Sequence, residues 1–118
     1  MSVAALNYSK FCSEAPRKGR VYTFTNCGEL LVYPVQGKEV VPFWSSRSRL
    51  GKIVVALPKY QRYEITEYSW SEFEEWLNQL NDEGILVGVN WSGAKLTGFN
   101  VSVPDLRAAI EERRNRDA

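Results

Sequence analysis

The chain contains no histidine among its 118 residues, and this absence excludes several chemistries. Ser-His-Asp and Cys-His catalysis are excluded, because both use an imidazole as the base. Zinc sites with imidazole ligands are excluded for the same reason, as is the usual proton carrier near neutral pH. Any activity of this protein must therefore rest on other side chains.

Cysteine is scarce as well, since Cys12 and Cys27 are the two thiols of the chain. They form no Cys-x-x-Cys pair and have no histidine with which to share a metal. We therefore expect no metal site and no cofactor, and we interpret each cysteine as a buried, reduced thiol. A disulfide between them stays open as an alternative, although a domain of this size does not need one.

Long apolar runs and a strong net charge are also missing. The longest apolar run is residues 53–57, far short of the roughly 18 residues that cross a membrane. The N-terminal stretch has no apolar segment typical of a signal peptide, so we expect a cytoplasmic protein without a membrane partner. The net charge of +1 indicates neither a nucleic acid nor a membrane surface as partner.

The composition that remains is that of an ordinary globular protein. Apolar residues make up 44% of the chain and charged residues 25%, enough for one core without metals or disulfides. We expect a single domain over residues 1–118 that is a monomer or a weak homodimer. The charged tail of about 112–118 is expected to be frayed or disordered.

The N-terminal part of the chain predicts one helix and three strands. Apolar and small residues repeat at helical spacing between Ala4 and Ala15, and Pro16 is expected to end that helix. Three segments rich in β-branched and aromatic residues follow, joined by short turns: 20–26, 30–35 and 39–44. Such a pattern is typical of an antiparallel meander.

The central part predicts two helices separated by a strand. Apolar residues at 50, 53, 54 and 57 have amphipathic helical spacing, and Ser45 or Ser46 is expected to cap that helix. Residues 62–68 alternate as a half-buried strand. Ser69 and Glu72 then form a capping box at the start of the next helix, and Gly84 is a natural end for it.

The C-terminal part predicts a hairpin and a last helix. Residues 85–91 are nearly all apolar and predict a central strand, and residues 96–101 return beside it. A helix is expected from about Pro104. The whole order predicts an α+β fold: a largely antiparallel sheet, made of the meander and the C-terminal hairpin, packed with about four helices.

Three segments carry a family resemblance: "VPFW" at 41–44, "EITEYSWSEFEEWLNQLNDEGILVGV" at 64–89 and "VPDL" at 103–106. In this order they resemble a family of small bacterial proteins known as domain of unknown function 2750. The resemblance runs from about Tyr8 to Ile110. It implies the same α+β fold, and it implies no catalytic residues because the family has no established activity.

Charge is divided into two blocks along the middle of the chain. All charged residues between Arg47 and Arg62 are positive, and all those between Glu64 and Glu83 are negative. One interpretation is that the two blocks pair with each other on the surface, where each pair is worth about 0–1 kcal/mol. The other is that Ser45, Ser46, Arg47 and Arg49 form an anion or phosphate site at a helix start. The acidic block argues against a nucleic-acid surface.

Two tryptophans offer a second candidate surface. Trp44 ends a strand, and Trp91 follows Asn90 in a predicted turn, so each either folds over the core or stays exposed as an interface anchor. No serine has an evident base and no carboxylate pair is positioned by the pattern, so we expect no catalytic residues. We therefore predict a non-enzymatic protein-binding or adaptor module. Its partner-binding residues would be Trp44, Ser46, Arg47, Arg49, Asn90 and Trp91. The alternatives are the anion-binding domain and an immunity-type protein that neutralises a toxin.

Overall fold

The computed structural model describes residues 2–117 and confirms the α+β class. Within these residues the helices are α1 (Val3–Lys18), α2 (Arg47–Ala56), α3 (Trp70–Asp82) and α4 (Val103–Asp117). A short 3-10 helix covers Pro58–Arg62. The strands are β1 (Arg20–Asn26), β2 (Glu29–Leu30), β3 (Tyr33–Val35), β4 (Lys38–Phe43), β5 (Glu64–Ser69), β6 (Leu86–Ser92) and β7 (Thr97–Val101).

The strands form two sheets, where the sequence predicted one. The first has the order β2-β1-β5 and the second the order β3-β4-β6-β7. Every pairing is antiparallel except that of β4 with β6, which is parallel. The carboxyl ends of β4 and β6, the two central strands, therefore lie side by side at the same end of the second sheet.

The predicted three-stranded meander is not formed, because the segment 30–35 breaks into two strands. β2 pairs with β1, whereas β3 pairs with β4 in the other sheet. Between them the chain crosses from one sheet to the other, and Leu31 packs against the apolar core there. β1 and β4 do not pair as a ladder. Tyr22 forms a single bridge with Trp44, the residue after β4, with backbone N···O distances of 2.9 and 2.8 Å, and the Oγ1 of Thr23 donates to the carbonyl of Pro42 at 2.7 Å.

Two apolar clusters lie on opposite faces of β4. Val41 and Phe43 point into the first cluster, which also receives side chains from α1, α3 and α4. Val40 and Trp44 point into the second, which receives side chains from α2 and the 3-10 helix. Alternate residues of a strand face opposite sides of the sheet, so β4 is buried on both faces.

The ends of the terminal helices differ from the sequence prediction. α1 continues through Pro16 to Lys18, although proline lacks the N–H that would bond the carbonyl of Cys12. Burial of Phe11 and Ala15 on the core offsets that loss. The helix ends at Gly19, whose left-handed φ of 73° lets its N–H reach the Ala15 carbonyl at 2.9 Å. α4 is helical to Asp117, where fraying was predicted for residues 112–118; residue 118 lies outside the described residues.

The capping box at the start of α3 is confirmed. The Oγ of Ser69 accepts the N–H of Glu72 at 3.2 Å, and the Glu72 carboxylate accepts the N–H of Ser69 at 2.9 Å. Two backbone donors that the helix cannot satisfy itself are thereby bonded. This local pattern needs no tertiary contact, which is why the sequence alone predicted it.

The indole of Trp91 lies across two glycines of the second sheet. The register of β6 against β7 shifts between Val89 and Ser92, and this irregularity turns Trp91 back over the strands. A Cβ atom added at Gly88 would lie 2.5 Å from the Trp91 ring, and one added at Gly98 would lie 2.8 Å from it. Both positions therefore hold glycine because the indole occupies the space of a side chain.

We expect Gly88→Ala to lower the free energy of unfolding by about 1–3 kcal/mol, because the new methyl group overlaps the buried Trp91 ring. Urea denaturation followed by tryptophan fluorescence measures this. Gly51→Ala is the matched control, since Gly51 lies inside α2 with no atom within 4 Å of its added Cβ. There alanine should leave stability unchanged or raise it by about 0.5–1 kcal/mol. Equal effects at the two positions would contradict this packing.

The two cysteines lie in different environments, and both are free thiols. Cys12 is buried in the first cluster, as predicted. Cys27 is exposed in the turn between β1 and β2, so the prediction that it is buried is wrong; its φ of 53° places it in a tight turn that points away from the core. Burial raises the pKa of Cys12 to about 11, and the nearby Arg113 only partly opposes this shift.

Near neutral pH we expect the exposed Cys27 to react quickly with an alkylating reagent, and the buried Cys12 to react only after denaturation. A raised pKa keeps Cys12 protonated, and the thiolate is the reactive form. Mass spectrometry of labelled protein counts the modified thiols. Cys27→Ser should abolish the fast reaction. Rapid labelling of Cys12 in the folded Cys27→Ser variant would show that the site is more open than the structure has it.

Candidate functional site

A groove of about 770 Å³ opens between α1 and α2. It lies where β4 and β6 end, because Ser46 and Arg49 follow β4 and Trp91 and Ser92 close β6, and all four line it. In open sheets, ligands commonly bind outside the carboxyl ends of parallel strands. We call this feature the α1–α2 groove.

A buried asparagine joins the elements beneath the α1–α2 groove. Asn90 is fully buried, and its φ of 48° lies in the left-handed region. Its Oδ1 accepts the backbone N–H of Ser45 at 2.9 Å. Its Nδ2 donates to the Oγ of Ser45 at 3.0 Å and to the carbonyl of Asn7 at 3.1 Å. One side chain thus ties β6 to α1 and to the segment that leads into α2.

Positive charge dominates the wall of the α1–α2 groove. Among the described residues that line it, the charged ones are four cations and one carboxylate: Lys10, Lys18, Arg49, Lys52 and Glu14. Within residues 2–117 neither Lys10 nor Lys52 forms an ion pair. The groove therefore has a net positive charge although the chain as a whole is nearly neutral, and such a concave site favours an anion.

Arg49 is the most enclosed of these cations, because 23% of its side chain is exposed whereas the three lysines are exposed residues. Its Nη1 donates to the Oδ1 of Asn7 at 3.4 Å, and its Nη2 lies 3.8 Å from the Oε1 of Glu14. A guanidinium has five N–H donors in a fixed fork. Within residues 2–117, Arg49 makes one side-chain hydrogen bond, the long one to Asn7. Most of its N–H donors therefore remain able to bind a further acceptor.

The start of α2 adds backbone donors to the same wall. Ser46 is the N-cap residue, as one of the two predicted serines, but its side chain makes no capping hydrogen bond. Its Oγ lies 3.3 Å from the Oγ of Ser48 instead, and the first turn contains no acidic residue. The N–H groups of a first helical turn have no partners within the helix and carry the positive end of its dipole.

The predicted tryptophan anchors are not exposed, so that part of the prediction is wrong. Trp44 is 0% exposed and Trp91 is 4% exposed. The indole of Trp44 donates to the carbonyl of Trp91 at 2.9 Å, and that of Trp91 donates to the Oδ1 of Asn100 at 2.8 Å. Both side chains are held in the second cluster with their polar atoms bonded, because the irregularity in β6 directs Trp91 inward.

The two predicted arginines have different positions. Arg49 and Ser46 line the α1–α2 groove, whereas Arg47 is exposed and does not. Within residues 2–117 no ion pair joins α2 to α3, so the interpretation that the basic and acidic blocks pair there is wrong. Arg49 pairs with Glu14 of α1 instead, because α1 is the helix that faces it across the groove.

The sequence prediction missed the contribution of α1. Its groove residues Asn7, Lys10, Glu14 and Lys18 are spaced by three or four positions and form one helical face. That polar stripe was visible in the sequence, beside the apolar stripe that was used to predict the helix. It did not reveal which element it would face.

A second cavity, of about 690 Å³, lies between α1 and α4 and includes Arg17, Arg113 and Arg114. Here two of the arginines already have partners. Arg113 donates to the Oγ of Ser9 at 2.6 Å and pairs with Asp117 at 3.4 Å. Arg114 lies 5.7 Å from the centre of the Trp70 ring. This cavity is therefore a weaker candidate than the α1–α2 groove.

Neither a metal site nor a membrane-spanning helix is found in the part of the chain that the structure describes. Between residues 2 and 117, no three histidine, cysteine or carboxylate residues come together to hold a metal ion. No helix in that range has the length and apolar character to cross a membrane.

The family described as "Protein of unknown function (DUF2750)" matches residues 8–110 of the chain. This match covers most of the sequence, so the chain belongs to that family, and the resemblance noted in the sequence is confirmed. No curated protein matches the chain significantly. The family description assigns no activity, so the function must be argued from the α1–α2 groove itself.

We expect Asn90→Ala to lower the free energy of unfolding by about 2–4 kcal/mol. The change leaves the buried N–H of Ser45 without its acceptor and forces alanine into a left-handed conformation. Asn90→Gly is the matched control, because glycine adopts this conformation without strain. It should cost about 1 kcal/mol less than alanine. Thermal and urea unfolding measure both; a change below about 0.5 kcal/mol for alanine would contradict the role given to Asn90.

Proposed function

We propose that this member of the DUF2750 family is a non-enzymatic binding protein whose α1–α2 groove takes a small ligand with a phosphate or carboxylate group. The anion would lie against Arg49 and the first turn of α2. The observation that carries the proposal is the Arg49 guanidinium, which is largely enclosed in the groove and forms only long polar contacts with other residues of the described range 2–117.

The surrounding charges support an anionic ligand. Three lysines line the same groove as Arg49, and the helix start contributes its dipole. An arginine at the positive end of a helix costs about 0.3–1 kcal/mol. A bound anion would offset that cost, because it would interact favourably with the guanidinium and with the first-turn N–H groups together.

The groove is also too large and too apolar for a simple ion alone. Its volume of about 770 Å³ is within the range of small-molecule sites. Beyond the cations, its wall is extended by Ile53 and Ala56 of α2 and by Leu57 just after it, and Trp91 contributes at the end of β6. We therefore propose a ligand that joins its anionic group to an apolar or aromatic body.

The protein-binding hypothesis loses its main support in the structure. It needed Trp44 and Trp91 as exposed anchors, and both side chains are buried. The alternative from the sequence was an anion site of Ser45, Ser46, Arg47 and Arg49 at this helix start. Of these four residues, Ser46 and Arg49 line the groove. For this reason we place the ligand-binding alternative ahead of an adaptor role.

The test uses phenyl phosphate as probe, because it joins an anionic group to an aromatic ring. Isothermal titration at constant ionic strength should show binding by the wild type. Arg49→Gln should weaken binding about tenfold or more, since a hydrogen bond to a charged group is worth about 1.5–3 kcal/mol. Arg47→Gln is the matched control, with the same loss of charge two residues away on an exposed side chain.

The control should change affinity less than about threefold, because exposed charges are screened by solvent and salt. Inorganic phosphate and phenol, tested separately, should each bind more weakly than phenyl phosphate. Equal losses in the two arginine variants would mean that only overall charge matters and would contradict a site at Arg49. No binding of phenyl phosphate by the wild type would contradict the proposed function for this ligand class.

A further inference from the structure

Glu14 is the single carboxylate among the described residues that line the α1–α2 groove. Its Oε1 lies 3.8 Å from the Nη2 of Arg49, and its Oε2 lies 3.9 Å from the Nζ of Lys18. Neither pair is close enough for a hydrogen bond, so both are loose ion pairs. The carboxylate thus occupies the position next to Arg49 that a ligand anion would use.

A partly buried hydrogen bond holds Glu14 in this place. The Oγ of Ser45 donates to its Oε1 at 2.9 Å, and Ser45 is fully buried. The Nδ2 of Asn90 donates to that same Oγ at 3.0 Å, and the Oδ1 of Asn90, at 3.4 Å, is a more distant acceptor for the hydroxyl than Glu14 is. The carboxylate is therefore attached to the buried asparagine network and is not an incidental surface charge.

We infer that Glu14 is a built-in competitor for the ligand, a residue that sets which anions the groove accepts and how tightly. This inference rests on the proposed function. Glu14 neutralises part of the charge of Arg49 and Lys18, and an incoming anion must replace that interaction. Because Glu14 is tethered, its effective concentration at the cations is high, and weakly binding anions are kept out.

The remaining cations are placed to favour ligands that bind more than one positive group. Lys10 and Lys52 line the groove and form no ion pair within residues 2–117. A ligand anion that contacts them as well as Arg49 gains interactions that Glu14 does not make. The ligand is thereby selected by its ability to bridge several cations.

The variant that tests this inference is Glu14→Gln, which removes the charge but keeps an Oε1 acceptor for Ser45. We expect it to bind phenyl phosphate about tenfold more tightly, since a like charge in a partly enclosed site is removed. Benzenesulfonate carries the same ring with one charge where phenyl phosphate carries two. Glu14→Gln should raise the affinity for benzenesulfonate less than the affinity for phenyl phosphate, because repulsion by Glu14 scales with ligand charge.

Glu67→Gln is the matched control. Glu67 pairs with Arg20 at 3.7 Å on the first sheet and does not line the groove. It should leave the affinity for phenyl phosphate unchanged within about twofold, because its charge is exposed and screened. If Glu14→Gln is unstable, Glu14→Ala gives the same comparison and should also bind more tightly.

The outcomes separate this inference from the proposed function. Wild-type binding that Glu14→Gln leaves unchanged or weakens would overturn the competitor role, while the groove would stand as the site. An equal gain for phenyl phosphate and benzenesulfonate would also overturn it, since a structural effect would not depend on ligand charge. A wild type that does not bind phenyl phosphate would overturn the proposed function, and this inference with it.

Discussion

The side-chain amide of Asn90 is the interaction on which the rest of the site depends. It is fully buried, and it bonds the backbone of α1 and both the backbone and the side chain of Ser45. Buried amide groups lose several water contacts on folding, and only a complete set of protein partners compensates for that loss. The same bonds fix where α1 lies relative to the chain entering α2. The α1–α2 groove is therefore a consequence of satisfying one buried polar residue.

The parallel pairing of β4 and β6 explains why this groove forms at one end of the second sheet. Ser45 lies two residues after β4, and Asn90 lies near the carboxyl end of β6. The parallel pairing brings these two residues within hydrogen-bond distance of each other. The irregularity in β6 then sends Asn90 toward α1 and Trp91 into the second cluster. Asn90 and Trp91 are neighbours in the sequence, but Asn90 bonds α1 and Ser45 whereas Trp91 packs in the second cluster. The second apolar cluster supports the groove, and the buried hydrogen bonds of Asn90 lie beneath it.

The sequence predicted what depends on local patterns. The capping box at Ser69 and the amphipathic helix that begins at Arg47 were both found, as was the overall α+β class. Long-range placement was not predictable in the same way. The division of 30–35 between two sheets depends on which strands lie beside it, and the burial of Trp91 depends on glycines at 88 and 98. The site was half predicted, since Ser46 and Arg49 were named but the facing stripe of α1 was not.

The central claim is that an anionic ligand binds between α1 and α2, and a backbone amide chemical-shift map tests it most directly. Phenyl phosphate would be titrated into isotopically labelled protein at constant ionic strength. The account predicts saturable shifts at residues 46–49 and 92–94, where the described groove wall supplies donors and cations. Shifts confined to Arg17 and residues 113–114, in the cavity between α1 and α4, would contradict it.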